Sequence, residues 1–530
     1  MPGSEFDIII VGAGSAGCVL AHRLSADRNR RVLLIEAGGG DSHPFLRIPL
    51  LARLAYTMKS VNWGYEIEPQ PALGNRTMDW PRGRVLGGSS AINGMTYIRG
   101  HARDYDTWRQ LGCDGWSYAD VLPYFTRSER NVTKGPPFHG TDGPLTLSPE
   151  RNDDPLGAAF LQACAEYGLQ PTSDFNGAQM EGYGKHDYAI ANGRRASTAR
   201  AFLDPVRDRS NLTVWSHCVV RKIRFAGTRA VGIEAARNGD FVTATAGEIV
   251  LSGGAINSPV LLMQSGIGDP DDLQSHGIPI VAALPQVGRN LQDHLGFFAQ
   301  WASRRPVMLR EKLRLDRAIM ASAQAYFFGT GLASSMAFRG CAFVRTEPHL
   351  EVPDVQISLL PTLLDRGPSQ RASRDGFLIH VYQLRPESRG AIRLRSADPR
   401  AKPVIDPGYL TAPEDMACLR RGFDVIRALA KQPALSAWRE FEIAPGDGVT
   451  DGPGLDRWIR QNAATAFHPV GTCRMGSDDA AVVTPALRAR GVEGLRVADA
   501  SIMPRVPSGN TNAASIMIGE KASDLVLRAA

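Results

Sequence analysis

No stretch of this sequence is apolar for the roughly 18–20 residues that a membrane-spanning helix needs, so none is expected. Cysteine is sparse: the seven present (18, 113, 164, 218, 341, 418 and 473) are odd in number, scattered and never spaced as C-x-x-C. They read as reduced, structural thiols of a cytoplasmic protein rather than a disulfide framework, and no metal site is expected. Charge of one sign is also scarce. A net charge of +6 spread over the chain supports solubility better than nucleic-acid binding. Internal repeats and low-complexity tracts are missing. The N-terminus lacks a charged leader and a small-residue cleavage site. Its apolar run Ile8–Val11 enters a glycine turn directly, as a first strand does and a signal peptide does not.

What remains is an ordinary globular composition, 43% hydrophobic and 22% charged, in 530 residues, enough for two or more cores. Its 54 glycines and 35 prolines indicate a loop-rich α/β or α+β chain. Residues 6–36 read as strand, glycine turn, helix and strand. Asp154 and Pro155 open a helix that ends at Gly168, with Leu156, Ala159, Phe160, Cys164 and Tyr167 on one face, so Cys164 reads as core rather than as a reactive thiol. A second helix spans about Glu414–Lys431. Between them, 354–360 and 376–384 alternate as half-buried strands do, and 391–396 follows as a third. Residues 494–504 read as another buried strand ending in an acid. Residues 310–331 begin as a basic amphipathic helix and turn apolar. A domain-packing helix with a solvated basic edge is the preferred reading, and a membrane-surface or quinone-side element the other.

Chemistry enters with Gly12-Ala-Gly14-Ser-Ala-Gly17, a G-x-G-x-x-G between strand and helix. The first glycine makes the tight turn, the second admits a pyrophosphate to the backbone, and the third lets helix and strand approach. The helix N-terminus favours the anion. Glu36, at the end of the second strand, is placed to accept both ribose hydroxyls. Flavin and nicotinamide dinucleotides share this fingerprint. The sequence has one such unit, which argues against a second nucleotide.

Five further segments occur in one order: RGRVLGGSSAINGMTYIRG (82–100), GGAINSPVLLMQSGIG (253–268), VGRNLQDH (287–294), FHPVGTCRMG (467–476) and GLRVADASIMP…GNTN (494–512). This set resembles the glucose–methanol–choline (GMC) oxidoreductases, most closely their bacterial choline-dehydrogenase-like branch. The resemblance implies a Rossmann-type FAD-binding domain and a substrate domain on a largely antiparallel sheet. It divides the chain into FAD-binding parts 5–155, 195–305 and 462–530, with substrate-side parts 156–194 and 306–461. It implies a cofactor envelope of Gly12, Gly14, Ser15, Ala16, Gly17, Glu36, Ala37, Trp63, Arg84, Val85, Gly88, Ser89, Asn93, Gly94, Met95, Thr96, Val220, Asp499, Ala500, Asn510 and Thr511. Some relatives link FAD to a histidine where Ile92 stands here, so the flavin is expected to be non-covalent.

The same resemblance makes His468 the general base and Asn510 its partner, whose amide donates to the substrate oxygen. Asn512 reads as a turn or backbone anchor and His294 as structural. His380 reads as a plain sheet residue with the cavity wall as the alternative. The implied reaction is oxidation of a small-molecule alcohol, most simply a primary one, with electrons passed to a quinone, dye or oxygen. A dehydrogenase is preferred to an oxidase. Ser358 stands where choline enzymes carry histidine, so choline is not favoured over an aryl or aliphatic alcohol. The alternative within the same fold is a cyanohydrin lyase or a decarboxylase that holds FAD without net alcohol oxidation. A weak contact with the inner membrane surface stays open, as does the oligomeric state.

Overall fold

The computed structural model describes residues 4–151, 154–307, 315–364, 375–449 and 452–528. Strand β1 (Ser4–Val11) runs into the glycine turn, helix α1 (Ser15–Leu24) leaves it, and β2 (Val32–Ile35) returns parallel to β1. All four residues of β2 are buried, as befits a parallel strand covered on both faces. The chain then adds β3 (Leu212–Trp215), β4 (Cys218–Ala226), β5 (Arg229–Arg237) and β6 (Asp240–Leu251). The resulting order is β3-β2-β1-β6-β5-β4, with Leu495–Val497 alongside β6. Strands β3, β2, β1 and β6 are parallel, and β4–β6 form an antiparallel meander. Helix α2 (Gly254–Gln264) follows β6. The helix Thr511–Leu527 crosses α1 closely: a Cβ on Gly519 would stand 2.8 Å from the Ala16 carbonyl.

The second sheet is antiparallel throughout. It is built from β7 (Leu295–Ser303), β8 (Cys341–Val344), β9 (Val355–Leu360), β10 (Gly376–Gln383) and β11 (Arg439–Ala444), ordered β11-β7-β10-β9-β8 with Gly182–Gly184 at the edge. Helix α3 (Leu315–Phe328) lies between β7 and β8 in the chain, and α4 (Pro413–Lys431) covers one face of the sheet. The α/β class with a second antiparallel sheet is the one the sequence indicates.

Several boundaries differ from expectation, each for a physical reason. Strands β9 and β10 are not half-buried; both faces are covered. Val355, Ile357, Leu359, Phe377, Ile379 and Val381 belong to the core with α4, and the alternate residues face a cavity rather than solvent. Ala391–Arg393 pairs with Val404–Asp406 in a two-stranded sheet of its own, outside the large sheet. The strand expected over 494–504 is confined to Leu495–Val497. Asp499 then turns the chain by accepting from the Ser501 N–H at 2.8 Å, capping one helical turn. Strand β7 lies in the antiparallel sheet and Ala464–Thr465 pairs with it, so this sheet draws on residues 295–303 and 464–465 as well as on those between.

The first helix runs Pro155–Glu166 under an Asp154 cap. Leu156, Phe160, Ala163 and Cys164 are buried, but Tyr167 is exposed and leaves the expected face. All seven cysteines are free and buried. The basic start of the 310–331 segment (310–314) lies outside the described residues. In α3 itself Ala325 packs inward while Ile319, Met320, Phe327 and Phe328 are exposed, so the packing reading covers only one face of this helix. Among the described residues, no helix is long and apolar enough to cross a membrane.

Candidate active site

One cavity of about 1290 Å³ runs from the glycine turn to the segment 465–469. Every residue of the expected cofactor envelope lines it except Gly17 and Val85. Gly17 works from behind, since a Cβ there would stand 1.8 Å from the Gly12 carbonyl. Val85 is buried in a small cluster with Leu46, Ala55 and Ile92. Gly12 has φ +103°, and Gly88, with φ +52°, approaches Gly14 so closely that its Cβ would lie 2.7 Å from the Gly14 Cα. Two glycine loops therefore meet backbone to backbone, which only glycine permits.

Glu36 accepts from the Ala13 and Gly38 N–H groups at 3.1 and 2.8 Å, and burial pushes its carboxyl up to about 7. Val220 sits at a register shift between β4 and β5, where the bulge frees backbone from the ladder. Asp499 lines the cavity, but its carboxylate is already engaged. It accepts from the Gly254 N–H (2.8 Å), the Ser258 hydroxyl (2.5 Å) and the Ser501 N–H (2.8 Å), so it fixes the start of α2.

The other end of the cavity is organised around His468. Its backbone N–H donates to Asp293 Oδ1 at 2.6 Å. Asp293 Oδ2 accepts from Thr465 and Tyr409, and Arg82 donates to the Phe467 carbonyl at 2.8 Å. These bonds hold Phe467 at φ +65°, a conformation a bulky residue adopts only when its surroundings impose it. The imidazole is thereby held on both sides. Asn510 Nδ2 stands 3.1 Å from His468 Nε2, and His294 Nδ1 stands 2.9 Å from His468 Nδ1.

This chain of contacts assigns the protons. His294 Nε2 lies 3.1 Å from the Leu384 carbonyl, which can only accept, so Nε2 of His294 carries the hydrogen. Burial holds His294 down at about 3, hence neutral, and its Nδ1 is then a bare acceptor. It must receive the hydrogen of His468 Nδ1. His468 Nε2 is left unprotonated, its lone pair facing the Asn510 amide and the cavity. Burial first, then His294, Arg82 and His380, push His468 well below its ordinary range, so it rests as a neutral imidazole. His294 thus fixes the tautomer of His468.

Asn510 occupies the N-cap of the last helix yet makes no capping bond, and its Oδ1 has no protein partner. An amide at a position that favours capping is instead spent on the imidazole. Asn512 accepts from the Ser15 hydroxyl at 2.7 Å and ties the last helix to α1.

The cavity floor was mostly missed in the sequence. His380 lines it rather than serving as a plain sheet residue, and its cross-strand neighbours Phe298 and Ser358 line it too. Phe298 and His380 stack at 4.2 Å. Tyr382 and Gln356 form the next row and are hydrogen-bonded to each other. Leu50, Leu51, Tyr56 and Met336 complete the walls from distant segments. The one available signal was the polar phase of β9 and β10, which reads the same whether it faces solvent or a ligand.

A dinucleotide fold whose cavity ends at a neutral imidazole paired with an amide defines a cofactor-dependent oxidoreductase. Family models described as GMC oxidoreductase match residues 6–296 and 386–519, and the chain belongs to that family. It is 44% identical over 526 residues to the oxygen-dependent choline dehydrogenase of Brucella anthropi, covering 99% of this chain and 96% of that one. The protein of the same description from Rhizobium etli is also 44% identical, over 527 residues and with the same coverage. Among solved structures, pyridoxine 4-oxidase from Mesorbium loti matches with a TM-score of 0.89 at 33% identity over 99% of both chains. Formate oxidase from Aspergillus oryzae matches with a TM-score of 0.92 at 25% identity, over 100% of this chain and 99% of the other.

Membership makes the protein an FAD flavoprotein, and its residues fit that group. The paired glycine loops would be filled by any Cβ, Glu36 stands at the end of β2, and the unpartnered Asn510 Oδ1 lies where the cavity reaches His468. Ile92 lines the cavity and offers no atom for a covalent link, in keeping with non-covalent binding.

Proposed function

We propose that the protein oxidises a primary alcohol to an aldehyde, with His468 as the base. Bound FAD supplies the hydride acceptor. The alcohol oxygen is received beside the His468 Nε2–Asn510 Nδ2 pair, on its cavity side, within reach of both. His468 takes the hydroxyl proton at Nε2, His294 keeps the opposite nitrogen protonated, and the Asn510 amide donates to the oxygen as negative charge grows on it. The supporting observation is the fixed tautomer: a neutral imidazole with its lone pair facing the cavity has been prepared by a contact chain that ends at the Leu384 carbonyl. Electrons then leave to a quinone-like acceptor, a dye or oxygen. Anaerobic addition of alcohols to the holoenzyme tests the reading: bleaching of the oxidised flavin band is expected, and timing the return of colour in air separates dehydrogenase from oxidase. No bleaching by any alcohol would favour the lyase or decarboxylase chemistry this fold also supports.

We further propose a weak contact between α3 and an anionic membrane surface. Ile319, Met320 and Phe327 are one and eight residues apart, share one side of the helix and face outward, with Leu54 exposed nearby on the segment that packs against α3. Residues 310–317 carry four basic side chains against two acidic ones. Co-sedimentation with phosphatidylglycerol vesicles should capture the wild type but not an Ile319→Ser, Phe327→Ser variant. A wild type that stays in the supernatant contradicts the contact.

A further inference from the structure

The relatives at 44% identity are described as acting on choline, a quaternary ammonium alcohol. The cavity here is built for something else. Among the described residues only two carboxylates line it, Glu36 and Asp499, and both belong to its nucleotide part. Glu36 accepts from two backbone N–H groups and stands at the ribose end, and Asp499 is engaged by Gly254, Ser258 and Ser501. Around His468 the nearest acid is Asp293, which is not part of the lining and is consumed by Tyr409, Thr465 and the His468 backbone. The charged residue closest to the base on the cavity side is a cation, Arg82. Residues 365–374, which follow Leu364 in the lining, lie outside the described residues; their sequence has three arginines and one aspartate.

A quaternary ammonium can also be held by aromatic faces, but the rings here are already engaged. Phe298 and His380 lie nearly parallel, 14° apart, each covering one face of the other. Tyr382 is stacked on His294 at 5.5 Å. Tyr56 and Phe467 pack on each other at 5.7 Å and Phe338 packs on His186 at 5.9 Å, and the other walls carry Leu50, Leu51, Met336, Leu360 and Leu378. Burying a cation among such groups without a counter-ion is strongly unfavourable, whereas an apolar tail of equal shape is welcome there.

From this we infer that the substrate is an uncharged alcohol with an apolar tail, and that the cavity discriminates against quaternary ammonium alcohols. The inference rests on the alcohol-oxidation reading above. It is tested on the holoenzyme with choline and its carbon isostere, in which a tert-butyl group replaces the trimethylammonium. The rate constant for anaerobic flavin reduction per unit substrate should be about 100-fold or more higher for the isostere, the scale of an unpaired buried charge. A choline rate equal to or above the isostere's overturns the proposal.

If neither compound reduces the flavin while hexanol or benzyl alcohol does, their inhibition constants against that alcohol carry the same comparison. The isostere must then bind the tighter, and tighter binding by choline overturns the proposal. Failure of every alcohol would instead remove the alcohol-oxidation reading itself. Ser358→Asp, which adds a carboxylate to the cavity floor, should move the ratio toward choline by roughly tenfold. An unmoved ratio in a variant that still binds FAD and oxidises uncharged alcohols would overturn the electrostatic basis.

Discussion

At the residue scale the account turns on which nitrogen of His468 holds its hydrogen. The Leu384 carbonyl decides it at two removes, through His294. Replacing His294 with phenylalanine keeps the ring volume but removes the acceptor for Nδ1–H, so the imidazole can adopt the other tautomer. Stopped-flow flavin reduction in His294→Phe should slow by about 10- to 100-fold, within the span a mispositioned base costs, while the FAD content is unchanged. An unaltered rate would return His294 to a packing role. The same reasoning gives a pH profile. His468 is held well below the usual imidazole range, so it is already neutral at physiological pH. Flavin reduction should be level from neutral to mildly alkaline pH and decline only in acid, below the ordinary histidine value. A limb centred at that value or above it would contradict the burial of the base.

At the element scale, what was legible in the sequence follows from how far each signal travels along the chain. The glycine turn, α1 and β2 are contiguous; Gly12 is required by its own φ of +103° and Gly17 by the Gly12 carbonyl, so the pattern shows them. The Asp154 cap is equally local: Asp154 accepts from the Gly157 N–H at 2.9 Å and also pairs with Arg339. Asp154→Ala should lower the unfolding free energy by about 1–3 kcal/mol, the sum expected for a cap and a part-buried ion pair. Denaturant unfolding measures it, and no loss would mean that the cap is idle.

His294 and His380 show where local reading stops. His294 meets His468 across 174 residues of chain, and only the second sheet brings them together. In β10 the alternation of apolar and polar residues was visible, but periodicity cannot state what the polar face looks at. Helix α3 inverts the usual rule by turning alanine inward and large apolar residues outward, and amphipathicity alone does not say which face is covered.

For the whole molecule, three imidazoles kept neutral, His294 and His468 buried and His380 half-buried on the cavity, carry a consequence for stability. His294 and His380 are held down at about 3 by burial, and His468 is held well below its ordinary range. In the unfolded chain each takes up a proton below about pH 6.5. The folded state does not, so the stability they support is present above that pH and is lost as pH falls toward the folded values. Each contributes a slope of about 1.4 kcal/mol per pH unit in that window. Removing one of them with His380→Phe should flatten the loss of unfolding free energy between pH 5.5 and 4.5 by about that amount. An unchanged slope would mean that His380 is protonated in the native state.

The two sheets matter to one another because the first holds the cofactor cradle and the second supplies the cavity floor, with His468 and Asn510 on the C-terminal segment between them. The central claim is that this junction places a neutral imidazole base against the alcohol. The most direct measurement is the anaerobic rate of flavin reduction in His468→Ala, made on protein shown by its absorbance to retain FAD. The account predicts a fall of about 10²- to 10⁴-fold for every alcohol that reduces the wild type. Reduction at the wild-type rate, with the flavin in place, would contradict it.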